Sequence, residues 1–164
     1  MDYLPEFCTA RVLILGVGNV LFGDDGFGPQ VIAHLERNFP VPADVCLMDV
    51  GTGVRKILFT LALSSARPRE IVIVDAVDRN GTRGQIIELL LEDIPLEKTD
   101  DFSMHQAPTS NLLRELRDSG AQVTVLVCDV GCVPQEICTG LSPLAASAVP
   151  IMARQIADRY FSPA

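Results

Sequence analysis

Short runs of consecutive apolar residues alternate along this chain with segments whose apolar positions recur every three or four residues. Four of the runs, at 12–16, 45–48, 71–74 and 123–127, are β-branched or aliphatic with no polar alternation, as in strands buried on both faces of a parallel sheet. A fifth, 85–91, follows Asp78-Arg79-Asn80-Gly81, a turn signal too close behind 71–74 for a helical crossover; it is predicted to run antiparallel. Helical patterns fall between the strands. One covers 26–38, with Pro29 tolerated in its first turn and Val31, Ile32 and Leu35 on one face. A second covers 53–64. A third starts at Thr109 or Ser110, plausible caps, and ends before Gly120 with Leu112, Leu113 and Leu116 inward. The last runs from Ser142 towards Tyr160; Ser142-Pro143 makes a cap and first-turn pair, and Pro150 predicts a kink or a break. Strands alternating with helices in this way define an α/β fold, a mostly parallel sheet covered by helices.

The 164 residues are expected to form one domain spanning 1–164. Hydrophobic residues at 48% against 21% charged exclude intrinsic disorder. Thirteen Lys and Arg against 21 Asp and Glu give a net charge of −8, which repels phosphate backbones and anionic lipid surfaces and argues against nucleic-acid and membrane partners. Residues 1–10 carry no Lys or Arg and are interrupted by Asp2, Pro5 and Glu6, unlike a signal peptide, so a cytoplasmic location is expected. No run reaches the ~18 apolar residues of a membrane helix. Five cysteines, Cys8, Cys46, Cys128, Cys132 and Cys138, are odd in number and scattered, which fits a reducing compartment and thiols mostly in or near the core. The spacing of the last three is not C-x-x-C and no histidine stands beside them, so zinc coordination there is not indicated.

The loop between the first strand and the first long helix, from Gly16-Val17-Gly18-Asn19 to Gly23-Asp24-Asp25-Gly26-Phe27-Gly28, lies where open α/β sheets place ligands. A dinucleotide fingerprint needs a third glycine where Leu21 stands, although Asp49 resembles a ribose-binding acid, so that reading survives only as a rival. A phosphate loop needs Lys and Ser/Thr where Asp24 and Asp25 stand, and two carboxylates there repel phosphate. Carboxylates on a glycine-flexible backbone suit a cation. Asp24 and Asp25 also admit a plainer role as helix caps.

These motifs, with Asp49-Val50-Gly51-Thr52-Gly53, Val74-Asp75-Ala76, Met104-His105-Gln106 and Gly140-Leu141-Ser142-Pro143 following in order, resemble those of the hydrogenase maturation endopeptidases across nearly the whole chain. The stretch Ser103-Met104-His105-Gln106-Ala107-Pro108-Thr109 looks like the methanogen branch serving the coenzyme F-420-reducing hydrogenase. The resemblance implies a three-layer α/β/α fold with a five-stranded sheet and one antiparallel strand. It further implies removal of a C-terminal extension from the large-subunit precursor of a nickel-iron hydrogenase after nickel insertion. The family's metal-contacting trio falls on Asp25, Asp75 and His105, which the resemblance makes both metal-binding and catalytic. The metal is then nickel supplied by the precursor, with no organic cofactor.

The residues agree with this on their own terms. Asp25 follows the carboxyl end of the first strand and Asp75 is expected to end the third, both at the crevice edge, and His105 arrives from the loop before the third long helix. Two carboxylates and an imidazole make an N/O site with open positions for substrate or water. Asp24 or Asp75 is the candidate general base for metal-assisted hydrolysis. His34, within the first long helix beside Glu36 and Arg37, reads as a half-exposed structural histidine. Gly51-Thr52-Gly53 reads either as a turn or as a substrate-contacting loop. Two rivals remain, a nickel-binding chaperone that cuts nothing and a nucleotide-dependent enzyme.

Overall fold

A computed structural model describes residues 4–94 and 107–162. Five strands, β1 (Val12–Val17), β2 (Val45–Gly51), β3 (Glu70–Val77), β4 (Ile86–Leu89) and β5 (Gln122–Asp129), form one sheet in the order β2-β1-β3-β5-β4. The first three and β5 pair in parallel, and β4 lies antiparallel on the outer edge of β5. The antiparallel strand is therefore where the turn signal put it, but its partner is β5 and not the preceding β3.

The helices are α1 (Glu6–Thr9), α2 (Phe27–Asn38), α3 (Val54–Leu63), α4 (Ala107–Asp118) and α5 (Pro143–Tyr160). Alternation along the strands sends side chains to two separate cores. Val12, Ile14, Val72 and Val74 face α2 and α5 through Phe27, Val31, Leu35, Met152 and Ile156. Leu13, Leu15, Ile71 and Ile73 face α3 and α4 through Leu58, Leu61, Leu113 and Leu116. The result is three layers, α/β/α, as the family resemblance implies, with the alternation of strands and helices that the sequence pattern predicts.

The departures have local causes. β3 runs three residues past Val74 because Asp75, Ala76 and Val77 keep their register with Val127, Cys128 and Asp129 of β5; Asp75 is inside the strand, not at its end. α4 opens at Ala107 rather than at Thr109 or Ser110, since Pro108 is compatible with a first turn. α5 is not divided: Pro150 lies inside one helix of 18 residues. Pro150 and Ala146, whose carbonyl the proline cannot satisfy, are both on the exposed side, where the unpaired carbonyl is open to solvent and its burial cost does not arise. The short α1 has no apolar period to betray it.

Two glycines let α2 lie on the sheet itself. A Cβ on Gly28 would stand 2.3 Å from the Val17 carbonyl oxygen and 2.4 Å from that of Val74, and one on Gly16 would meet Ile32 at 2.5 Å. The first turn of α2 thus sits over the gap between β1 and β3, which is the point where the strand order reverses direction, since β1 leads to β2 on one side and β2 crosses to β3 on the other. Gly28→Ala is expected to cost at least about 1–3 kcal/mol, because the obstacles are backbone carbonyls of two central strands; urea denaturation measures it, and an unchanged midpoint would show that α2 can move away at no cost.

Candidate active site

Between β1 and α2 the chain forms a single 3-10 turn, Gly23–Gly26, that packs against β3. Two of its neighbours shape it. The Gly18 φ of 135° places its α-carbon so close to the turn that an added Cβ would meet the Asp25 carbonyl oxygen at 1.8 Å. The Asn19 backbone N–H donates to Asp25 Oδ2 at 2.8 Å, and the Asn19 side chain in turn accepts from Leu21 N–H at 3.0 Å. The G-x-G-N sequence is therefore consumed in holding Asp25, and its glycines are not spare backbone for a pyrophosphate.

Asp25 is half-buried, and its second oxygen has no hydrogen-bond partner among the described residues. Asp75 is half-buried too, and its Oδ1 accepts from Ala76 N–H at 2.8 Å. Gly16 pairs with Val74, so Asp75 is the first residue of β3 beyond its pairing with β1. Alternation puts it on the face of α3 and α4. The structure thus brings Asp25 and Asp75 to the same carboxyl edge of the sheet at the switch point. His105 lies outside the described residues. In sequence it stands two positions before α4, a helix that leads into the amino end of β5 and so begins at the same carboxyl edge.

Asp24 does something that sequence reading left undecided. It is 8% exposed and makes no cap on α2. Its Oδ1 accepts from the Ser142 backbone N–H at 2.6 Å and its Oδ2 from the Ser142 hydroxyl at 2.7 Å. Ser142 is the N-cap of α5, and its oxygen accepts from Ala145 N–H. Two further bonds run alongside, Gly23 N–H to the Cys138 carbonyl at 2.6 Å and Cys138 N–H to the Leu21 carbonyl at 2.9 Å. The D-D and G-L-S-P motifs, 118 residues apart, are halves of one clamp. Both motifs are visible in the sequence, but nothing in it pairs them.

A second buried carboxylate had no signal at all. Asp129, fully buried at the end of β5, accepts from the N–H groups of Gly81 at 2.9 Å and Gly131 at 3.1 Å, organising the turn that enters β4. The remaining groups are structural. His34 is half-buried on α2 with its ring 6.3 Å from Phe39. Cys8 and Cys128 are buried and Cys46 half-buried, whereas Cys132 and Cys138 are exposed, so the thiols divide more evenly than expected. Burial pushes the Cys128 thiol up to about 11, with Asp24 and Asp129 adding to the shift, and it stays neutral at pH 7. The segment Gly51-Thr52 lines a shallow groove of about 220 Å³ with Gly18, Asn19, Val20, Pro29 and Asp49, directly beside the Asp25 turn.

An α/β/α layering with Asp25 and Asp75 at the carboxyl edge defines a three-layer α/β protein of the kind that places its site at the switch point, and comparison with known proteins says which. The family model of the HycI hydrogenase maturation proteases matches residues 29–159, a span that holds Asp75 and His105 and begins just after Asp25. The chain is 35% identical over 157 residues to coenzyme F-420 hydrogenase subunit delta of Methanothermobacter thermautotrophicus, covering 91% of this chain and 94% of that protein. It is 35% identical over 117 residues to a putative hydrogenase maturation protease of Methanocaldococcus jannaschii, covering 71% and 74%. Among solved structures, the hydrogenase maturating endopeptidase HybD from Escherichia coli has a TM-score of 0.71 at 26% identity over 90% of both chains. This chain belongs to the hydrogenase maturation protease family and is a peptidase.

Breaking the clamp has a defined cost. Asp24→Ala leaves the Ser142 donors without their charged acceptor and is expected to lower stability by about 2–3 kcal/mol, and Ser142→Ala by about 1–2 kcal/mol through loss of the cap. Because the two share their bonds, the double variant should lose less than the sum; additive midpoints in urea would show the clamp contributes nothing as a unit. For Cys128 the folded value lies above the ordinary thiol value of 9.0. The stability that goes with its neutral form is therefore complete below about pH 9 and falls away as pH rises towards 11. The fall in stability over pH 9–11 should be steeper in the wild type than in Cys128→Ala; equal slopes would refute it.

Proposed function

We propose that this peptidase removes the C-terminal extension of a nickel-loaded nickel-iron hydrogenase large-subunit precursor, with Asp25, Asp75 and His105 contacting the nickel that the precursor carries. The observation that carries this reading is the arrangement of Asp25: one oxygen is fixed by Asn19 N–H and the other has no hydrogen-bond partner among the described residues, at the sheet edge that also holds Asp75. Carboxylate oxygens with an imidazole suit nickel and leave positions for substrate groups or water. The name of the relative that covers 91% of this chain, a coenzyme F-420 hydrogenase subunit, supports a precursor of that hydrogenase as the partner.

Nickel held by Asp25, Asp75 and His105 would supply polarisation of the scissile carbonyl or acidification of a water; a carboxylate of this chain takes the proton of the attacking water and passes it to the departing amine as the C–N bond breaks. Both oxygens of Asp24 are engaged by Ser142, which favours Asp75 over Asp24 as the base and makes this a carboxylate-assisted endopeptidase. No organic cofactor enters. All five cysteines are unpaired thiols, which suits action in the reducing cytoplasm; no helix among the described residues is long and apolar enough to cross a membrane.

Mass spectrometry of the nickel-loaded and nickel-free precursor, each incubated with this protein, tests the reading. A defined C-terminal peptide should be lost from the loaded precursor alone, and His105→Ala or Asp25→Asn should slow its release by about 10²-fold or more. Equal cutting of the nickel-free precursor would remove the metal from the mechanism. A loaded precursor that is bound but stays intact would make the trio a binding site only.

A further inference from the structure

The outer face of α3 carries a stripe that the fold does not use. Val54, Leu58 and Leu61 are buried against the sheet, whereas Arg55, Lys56, Phe59 and Leu63 are all exposed, the last two at 56% and 74%. At 100° per residue these four positions fall within one arc of about 100°, so they form a single ridge in place of scattered surface residues. Gly53, Arg55, Lys56 and Phe59 line a depression of about 470 Å³, larger than the groove beside Asp25. Thr52, which lines the groove, and Gly53, which lines the depression, are consecutive residues, so the two are neighbours along the chain. Neither Arg55 nor Lys56 has an ion-pair partner among the described residues, in a chain whose net charge is −8.

We propose that the α3 ridge is a docking surface for the precursor, and that the segment it takes carries carboxylates beside a large apolar side chain, the carboxylates against Arg55 and Lys56 and the apolar group against Phe59. This deepens the peptidase reading and rests on it. Charge selects the occupant. Two adjacent cations with no ion-pair partner among the described residues, in a chain of net charge −8, give an acidic segment a place to approach with attraction in place of repulsion, and Phe59 supplies the aromatic anchor that such surfaces need for affinity. A second copy of this chain fits less well, because it brings its own negative charge to every other part of the contact. The adjacency of Gly53 to Thr52 gives the ridge its function: a precursor held on α3 has its neighbouring chain within reach of the groove beside Asp25.

The test uses the full-length protein and the nickel-loaded precursor. Arg55→Glu/Lys56→Glu should raise KM for cleavage by about tenfold or more and abolish its salt dependence, with kcat within about twofold of wild type. Phe59→Ala should raise KM without altering the salt dependence. All three positions are exposed, and an unchanged thermal midpoint confirms that the variants are folded. A KM within about twofold of wild type in both variants overturns the docking surface while leaving the peptidase intact. A wild-type protein that cuts no precursor overturns the peptidase reading and the docking surface with it. Sedimentation that shows a wild-type dimer dissociated by Phe59→Glu gives the ridge to a second copy and overturns the precursor assignment.

Discussion

The site depends on one close approach, the first turn of α2 resting on the carbonyls of Val17 and Val74. A helix normally stands off a sheet by the thickness of its side chains. Here Gly28 on the helix and Gly16 on the strand remove them, so the turn that precedes α2 is drawn down between β1 and β3. Asp25, in that turn, and Asp75, one residue past the last β1 pair, then share an edge without either being forced out of regular geometry. Any larger residue at position 28 would lift the helix and carry Asp25 away with it.

The close approach alone would leave the turn hinged at its outer side. The Asp24 clamp closes that side by fastening it to the N-cap of the last helix. Two adjacent carboxylates thus have opposite fates, and solvation decides between them. Asp24 is buried and both its oxygens are satisfied by a hydroxyl and an N–H, as a buried charge requires. Asp25 is half-buried and keeps an oxygen unengaged within the described chain, as a ligand for a cation requires. Their order in the sequence has no bearing on this; the turn of the 3-10 helix does.

The alternation of strands and helices, the one antiparallel strand and the carboxyl-edge loop were readable from residue pattern because they follow from periodicity and from where turn residues, glycine and aspartate interrupt it; the three layers were implied by the family resemblance. Strand lengths were less readable, since Asp75, Ala76 and Val77 look like the start of a loop until β5 is known to continue beside them. The continuity of α5 through Pro150 was hidden for a similar reason: whether a proline divides a helix depends on whether the orphaned carbonyl faces water, and that is a property of the packed helix. Asp24 and Asp129 were opaque because each is defined by donors far away, at Ser142 in one case and at Gly81 in the other. Pattern shows what a segment is, and burial of charge shows what it is attached to.

Ligand count connects this geometry to selectivity. No three His, Cys, Asp or Glu side chains converge as a metal site among the described residues, and on the proposed reading His105 raises Asp25 and Asp75 to three. Three N/O donors do not complete even a square-planar or tetragonal nickel(II) sphere, so the remaining positions must be filled from outside the trio. A site of this kind gains most when the metal arrives already held by other ligands, because the protein then adds its donors to a partly dehydrated ion and does not have to strip one from water. Free divalent cations, fully hydrated, offer no such advantage. On the proposed reading incompleteness is a source of discrimination: a carboxylate edge whose remaining ligands arrive with the metal is suited to detecting one that a partner protein presents.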